Sequence, residues 1–145
     1  MERGEALEFV RRRRSPWVIR LSSWRRQADV RLSYANLAFA MLAGVDLAAV
    51  DLHASNLRNA VLRQADLSNA ILRRCNLRGA DLTEAVLRGA DLRAADVRTA
   101  ILCGADLTGV DLRRAWFRGA HADLSTRWPA GFDPQTQGVI TEAAV

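Results

Sequence analysis

A leucine recurs at every fifth residue of this chain from Leu32 to Leu112, and this series constrains the fold more than any other feature. Val97 is the single exception, and Phe117 extends the series by one further step. A five-residue period matches neither the period of a helix, about 3.6 residues, nor the alternation of a strand. Neither amphipathic element can therefore bring all of these leucines to one side.

The residues around each leucine repeat as well, so the chain divides into five-residue units that we call pentads. Each pentad has a small residue first, frequently Asp or Asn second, and the leucine third, as in Ala65-Asp66-Leu67-Ser68-Asn69. The pentads keep one register from Val30 to Gly119, which is 90 residues or 18 pentads. The first position holds twelve alanines, four valines, Ser55 and Cys75. Such a fixed period is typical of repeat proteins, whose units bury their apolar side chains by stacking on one another.

These pentads resemble the pentapeptide-repeat family, and the resemblance covers 90 of the 145 residues. It implies an all-β solenoid, a right-handed quadrilateral β-helix in which four pentads make one coil of 20 residues, giving about 4.5 coils. The first and third positions would then point inward and the other three outward. Burial of each leucine would contribute roughly 1.5 to 3 kcal/mol, so the leucines would supply most of the stabilisation.

The sequence before the repeat, residues 1–29, predicts an α-helical cap at the N-terminal end. We expect two helices here, the second running from Pro16 to about Gln27. Three apolar residues of the second helix, Trp17, Leu21 and Trp24, are spaced to form one stripe. We expect that stripe to pack on the first coil. The alternative is an amphipathic anchor on acidic lipid, since arginines alternate with the apolar residues.

The sequence after the repeat, residues 120–145, predicts a short C-terminal capping segment, because the leucine register ends after Gly119. Aromatic residues cluster near this end. We expect Trp128 and Phe132 to cover the last coil. Trp116 and Phe117, within that coil, enlarge its apolar surface. The alternative is that this cluster forms a homodimer contact.

No motif of catalytic chemistry occurs in the sequence. A P-loop, a dinucleotide-binding glycine pattern and a nucleophile elbow are all missing. His53 has no Cys or acidic cluster at metal-ligand spacing. The two cysteines, Cys75 and Cys103, fall on inward and outward positions, so we expect no disulfide between them. The sequence thus predicts a protein without catalytic residues, metal or cofactor.

No targeting signal stands out either. No apolar run approaches the roughly 18 residues of a membrane span, and the N-terminal apolar stretch is too short for an export signal. We therefore expect a cytoplasmic location.

Sorting the pentads by their place in the coil gives four outward faces. Face 1 is centred on residues 32, 52, 72, 92 and 112, and face 2 on residues 37, 57, 77, 97 and 117. Face 3 is centred on residues 42, 62, 82 and 102, and face 4 on residues 47, 67, 87 and 107. Faces 1 and 2 each carry a net charge of +3, whereas faces 3 and 4 carry −1 and −2.

Arginines recur at the fourth position of faces 1 and 2, and these are the candidate partner-binding residues. They are Arg73, Arg93 and Arg113 on face 1, and Arg58, Arg78, Arg98 and Arg118 on face 2. Every basic residue of the chain is Arg, which suits bidentate contact with carboxylate or phosphate groups. The alternative is a solvated surface that binds nothing.

The leading interpretation is a non-enzymatic scaffold that binds protein partners with an acidic surface, and one form of it is a small subunit of a larger assembly. The alternative is an electrostatic binder of acidic membrane or nucleic acid through the same arginines. Some relatives in the family imitate duplex DNA and inhibit type II topoisomerases. That imitation needs an acidic surface, and the isoelectric point of about 10.8 argues against it.

Overall fold

The computed structural model of the chain describes residues 31–142, which form a β-solenoid with coils of 20 residues. Parallel bridges join the second position of a pentad to the second position four pentads later, from Arg31–Asp51 to Ile101–His121. The predicted all-β solenoid is confirmed. The predicted N-terminal helical cap, with Trp17, Leu21 and Trp24, lies outside the described residues.

Each pentad consists of a short extended segment followed by a turn. The Leu67 amide donates to the Val86 carbonyl of the next coil at 2.7 Å, and the Asp66 amide donates to the Val45 carbonyl of the preceding coil at 2.9 Å. The Ala70 amide then closes the turn on the Leu67 carbonyl at 3.1 Å. Backbone donors thus bind the coils on both sides, and the turn makes the corner between two faces.

The fifth position of all 18 pentads has a positive φ, between 53° and 75°. Glycine occupies only six of these positions, and the other twelve include residues such as Ala49, Arg74 and Thr99. A turn of type II requires this conformation at its third residue, and non-glycine residues adopt it only at some cost in strain. Since the coils above and below fix the turn, the stacking imposes the conformation that the local sequence does not favour.

The first and third positions line the interior, as the sequence predicts. From Leu47 to Leu107 the third-position side chains are at most 1% exposed, and the first-position alanines from Ala60 to Ala105 are equally buried. Leu112, the last leucine of the series, is only partly buried and packs against this core. The core is therefore a column of leucines spaced by small residues.

The coil geometry continues past Gly119, where the leucine register ends. Strand β1 (His121–Asp123) pairs in parallel with strand β2 (Ile140–Glu142), with His121 opposite Ile140. On its other side, His121 bridges to Ile101 of the preceding coil. Ala122 takes the inward place of a leucine and is fully buried. The leucine register thus ends because a smaller residue fills the core at Ala122, while the coil itself continues.

An aromatic cluster lies over the last leucine coil. The rings of Trp128 and Phe132 stack with their centroids 4.8 Å apart. Both meet the ring of Phe117 edge-on, at 5.8 Å and 5.2 Å. Trp116 is not in this cluster, since it occupies an outward second position and is 58% exposed. Three of the four predicted aromatic residues therefore come together, and the fourth lies on face 2.

Aspartates at the second position bind the turn that follows them. The Ser68 amide donates to Asp66 Oδ1 at 2.9 Å, and the Thr108 amide to Asp106 Oδ1 at 3.0 Å. Hydrogen bonding from Thr108 and from the Arg88 guanidinium lowers the pKa of Asp106 to about 2. The repeat's aspartates are thus structural acceptors, a role that asparagine can also fill.

We expect acid to destabilise the solenoid in the range where these carboxylates take up protons. Asp106 has its pKa lowered from 3.8 to about 2, so the stability it adds is present above pH 4 and is lost as the pH falls towards 2. Circular-dichroism melts should show Tm falling over this range, with a smaller fall in Asp106→Asn, which keeps the turn acceptor. Asp66→Asn is the matched control without an arginine partner, and an equal fall in wild type and Asp106→Asn would contradict the assignment.

We expect the core to reject a charge at its centre. Leu77→Arg places a guanidinium where the side chain is 0% exposed, so the central coils should lose their cooperative melt. Leu77→Ala should remain folded but lose about 2 to 5 kcal/mol of unfolding free energy. Arg78→Ala, at the adjacent exposed position, is the control. A native-like melt of Leu77→Arg would refute the inward assignment.

Candidate functional site

The arginine column of face 1 is paired with carboxylates of the same face. Arg73 Nε lies 3.2 Å from Asp91, and an Arg93 terminal nitrogen lies 2.7 Å from the same carboxylate. Arg93 Nε is 3.7 Å from Asp111, which an Arg113 terminal nitrogen contacts at 2.6 Å. Hydrogen bonds from Arg93 and Arg113 lower the pKa of Asp91 and of Asp111, the latter to about 2. These three predicted site residues thus belong to a ladder of alternating charge.

The arginine column of face 2 is different, because three of its four members have no such partner. Within residues 31–142, no carboxylate lies within 4.0 Å of Arg58, Arg78 or Arg118, and all three are exposed. Arg98 is the exception, with Nε 2.8 Å and a terminal nitrogen 2.7 Å from Asp96. Its guanidinium also lies over the ring of Trp116, 4.9 Å from the centroid. Face 2 therefore carries unneutralised positive charge.

The cause is the residue at the second position of each pentad. Face 1 has aspartate there in three of its coils, whereas face 2 has asparagine at three rungs, followed by Asp96 and Trp116. Asn56 and Asn76 accept the amides of Arg58 and Arg78 at 3.1 Å and 3.2 Å, as an aspartate would. They make the same turn but add no negative charge of their own, and Arg78 has only the more distant Asp96 of the next coil, whose pKa it helps to lower.

Faces 3 and 4 contain fewer arginines, and each of these is paired. Arg63 lies 3.3 Å from Asp81 on face 3, while Arg88 pairs with Asp106 on face 4. The backbone of Arg127 forms a parallel bridge with Asp106, and a terminal nitrogen of Arg127 lies 4.0 Å from the Asp106 carboxylate. Neither face presents a column of free cations in the described part of the chain.

Two further arginines lie at the corner where face 1 ends and face 2 begins. Arg74 and Arg114 occupy fifth positions, are exposed, and have no carboxylate within 4.0 Å among residues 31–142. The sequence reasoning did not single them out, because it sorted arginines by pentad and not by corner. Counting along the coil would have shown that they border face 2.

The two cysteines are not arranged for nucleophilic chemistry. Cys75 is buried, its Sγ donates to the Leu52 carbonyl at 2.8 Å, and it lies 3.4 Å from the Ser55 hydroxyl. Burial raises the pKa of Cys75 to about 11, and burial also raises the pKa of the partly exposed Cys103. Both thiols are therefore protonated at neutral pH, and a protonated thiol is a poor nucleophile.

The described residues show neither a metal centre nor a membrane span. No group of three His, Cys, Asp or Glu side chains between residues 31 and 142 is placed to hold a metal ion. No helix in that part of the chain is long and apolar enough to cross a bilayer.

The repeat and its geometry match known proteins. The family model for pentapeptide repeats matches residues 31–69, 60–98 and 85–121, with eight copies. The solved structure of alr5209, a pentapeptide repeat protein from Nostoc Pcc 7120, is 37% identical, covers 74% of this chain and 84% of its own, and superposes with a TM-score of 0.59. Rfr23 from the cyanobacterium Cyanothece 51142 is 33% identical over 64% of this chain and 63% of its own, with a TM-score of 0.40.

A more distant likeness concerns the fold alone. QnrB1, a plasmid-mediated fluoroquinolone resistance protein, is 19% identical over 77% of this chain and 67% of its own, with a TM-score of 0.51. No functionally curated protein matches the chain. The structural neighbours are right-handed quadrilateral β-helices, which is the architecture implied by the four pentads of each coil. With more than half of its residues in the matched repeats, this chain belongs to the pentapeptide-repeat family.

Proposed function

We propose that this chain is a non-enzymatic scaffold that binds a protein partner with an acidic surface through its arginine-bearing faces, as an independent module or as a small subunit of a larger assembly. One observation carries the proposal: Arg58, Arg78 and Arg118 form an exposed column without carboxylate partners among residues 31–142. Charges left unpaired on a repetitive surface are available to a second molecule.

The spacing of the column makes such a partner favourable. Successive coils stack at roughly 4.8 Å, so arginines on neighbouring rungs repel one another by about 1 kcal/mol per pair in water. A carboxylate between two rungs would relieve that repulsion, as Asp91 and Asp111 do on face 1. Each guanidinium can also donate two parallel hydrogen bonds to one carboxylate, which adds geometric selectivity.

A binding role fits the chemistry of the described residues better than catalysis. The buried Cys75 is held as a thiol by its surroundings, and the repeat's aspartates are engaged with turn amides and arginines. These side chains already have structural partners, whereas Arg58, Arg78 and Arg118 have no carboxylate within 4.0 Å among residues 31–142, which favours the arginines as the binding residues.

For the C-terminal segment we propose capping, supported by the packing of Trp128 and Phe132 on Phe117. A homodimer contact at that end, and a packing or membrane role for the N-terminal stripe, stay predictions. The cytoplasmic location also stays a prediction. Imitation of DNA remains disfavoured, because the chain carries 21 basic against 16 acidic residues.

The competing function is electrostatic binding of nucleic acid or acidic membrane through the same arginines. Affinity purification of the full chain from its native host, followed by mass spectrometry and nucleic-acid and lipid analysis, separates the two classes. A stoichiometric protein that stays bound at moderate salt supports the scaffold. Recovery of nucleic acid or lipid alone, lost with modest salt, would overturn it.

The scaffold makes a specific prediction for the charge of face 2. Arg58→Glu with Arg78→Glu should leave the Tm near that of wild type, because neither guanidinium has a carboxylate within 4.0 Å among residues 31–142. The double variant should weaken binding of the purified partner by about tenfold or more, because both attraction and guanidinium donors are lost. Arg63→Glu with Arg88→Glu makes the same change of charge on faces 3 and 4 and is the control. Titration calorimetry measures both, and unchanged binding in the face 2 variant would reduce the column to a solvated surface.

A further inference from the structure

We infer that face 2 alone forms the docking surface, and that its ligand is an extended acidic segment of a protein, bound along the solenoid axis. This inference rests on the proposed scaffold function and narrows it. The sequence treats the arginines of faces 1 and 2 as equivalent, whereas the contacts separate them. The fourth-position arginines of face 1 bind carboxylates of their own face, and those of face 2 are mostly free.

The floor of face 2 is a ladder of asparagines whose Oδ1 atoms accept turn amides, so that their Nδ2 donors are not used in the turn. All three asparagines found at second positions, Asn36, Asn56 and Asn76, lie on this face. Each uses Oδ1 to accept the amide two residues on, at 3.1 to 3.3 Å. The Nδ2 groups therefore face away from the turn, and Asn56 Nδ2 spends one of its two hydrogens on Asn36 at 3.3 Å.

The asparagines reverse the polarity that aspartate gives to the other faces. Asp66 on face 4 caps its turn with Oδ1 in the same way, which leaves a charged acceptor oxygen at the surface. Asn56 and Asn76 leave an amide donor at the equivalent place. An NH2 group in place of one carboxylate oxygen changes the exposed group from a hydrogen-bond acceptor to a donor, without a change in the backbone.

Arginines border this floor on both sides. Fourth-position arginines run along the corner with face 3, where Arg58 and Arg78 are exposed. Arg74 and Arg114 lie on the opposite corner, with face 1. Guanidinium groups donate hydrogen bonds and cannot accept them. Face 2 is thus a strip of donors with positive borders, and its complement is a row of negatively charged acceptors.

Trp116 gives the strip a distinct end. Arg98 neutralises Asp96 and covers the indole ring from one side, while the ring stays 58% exposed. Beside the unpaired donors, this provides one apolar contact at the C-terminal end of the face. A bound segment would therefore place acidic residues over the asparagine rungs and an apolar side chain beside Trp116.

Carboxylates fit this surface better than a nucleic-acid backbone does. Residues 31–142 hold thirteen arginines against twelve acidic residues, so this part of the chain has a net charge of only +1 and its unpaired positive charge is concentrated on face 2 and its corners. Single-stranded nucleic acids also bind through aromatic side chains that stack on successive bases. The exposed aromatics on face 2 and its corners, Tyr34 and Phe39 at one end and Trp116 at the other, do not lie between the arginines.

The test replaces two floor amides by carboxylates in the full chain. Asn56→Asp with Asn76→Asp keeps the turn acceptors and removes one side-chain hydrogen bond, from Asn56 to Asn36, so the melt should lie close to that of wild type. We expect wild type to bind a fluorescein-labelled peptide of eight glutamates at low salt, and the double variant to bind it about tenfold more weakly in an anisotropy titration. A peptide of eight glutamines should show no binding.

The matched control puts the same two charges elsewhere. Ser68→Glu with Thr108→Glu adds them to face 4, on either side of Arg88, and should change the affinity for the glutamate peptide less than twofold. Equal weakening by both variants would show a response to net charge and overturn the assignment to face 2. Preferred binding of a twelve-residue thymidine oligonucleotide, lost in the face 2 variant, would overturn the acidic segment in favour of nucleic acid.

The scaffold proposal has an independent outcome in the same set of variants. One outcome is that the glutamate peptide does not bind wild type, although the purified partner does, and that only Arg63→Glu with Arg88→Glu weakens binding of the partner. The inference about face 2 then fails, and the scaffold binds its partner through other faces. If no protein partner is captured at all, the scaffold itself fails. The two failures are therefore distinguishable.

Discussion

The hydrogen bonds between successive coils are the interaction on which the rest of the structure depends. They fix the rung spacing, force the fifth residue of every pentad into a left-handed conformation, and hold the leucines in one column. An isolated pentad has neither enough apolar surface nor enough hydrogen bonds to adopt this shape. Stability therefore belongs to the stack, and each coil is ordered by its neighbours.

Much of the fold could be predicted because the periodic pentads resemble a family of known architecture. That resemblance implies a narrow interior that holds the leucine at every fifth position and the small residue two before it. The turns could not be read as directly, because Arg74 and Thr99 adopt a conformation that sequence rules reserve for glycine or asparagine. The continuation of the coil past Gly119 was also hidden, since Ala122 fills a leucine's place without resembling it.

The candidate site was less predictable, because it depends on which arginines find carboxylates. Net charge gave faces 1 and 2 the same value of +3, yet Arg93 contacts carboxylates on two rungs while Arg78 contacts none among the described residues. Side-chain rotamers decide such pairings, and a count of charges does not contain them. The asparagine ladder escaped notice for a related reason: an amide adds nothing to the net charge, although it decides the polarity of the face.

The 20-residue coil has a consequence for how such a chain can change in length. Because all pentads fit the same corner, removal of five residues would leave a packed leucine column and an unbroken solenoid. Every residue after the deletion would, however, be rotated about the solenoid axis by a quarter of the circumference. A deletion between Arg78 and Arg98 would therefore move Arg98 and Arg118 out of line with Arg58 and Arg78. Deletion of a whole coil would instead shorten the columns and keep them aligned. The surface pattern thus repeats every twenty residues, whereas the core pattern repeats every five.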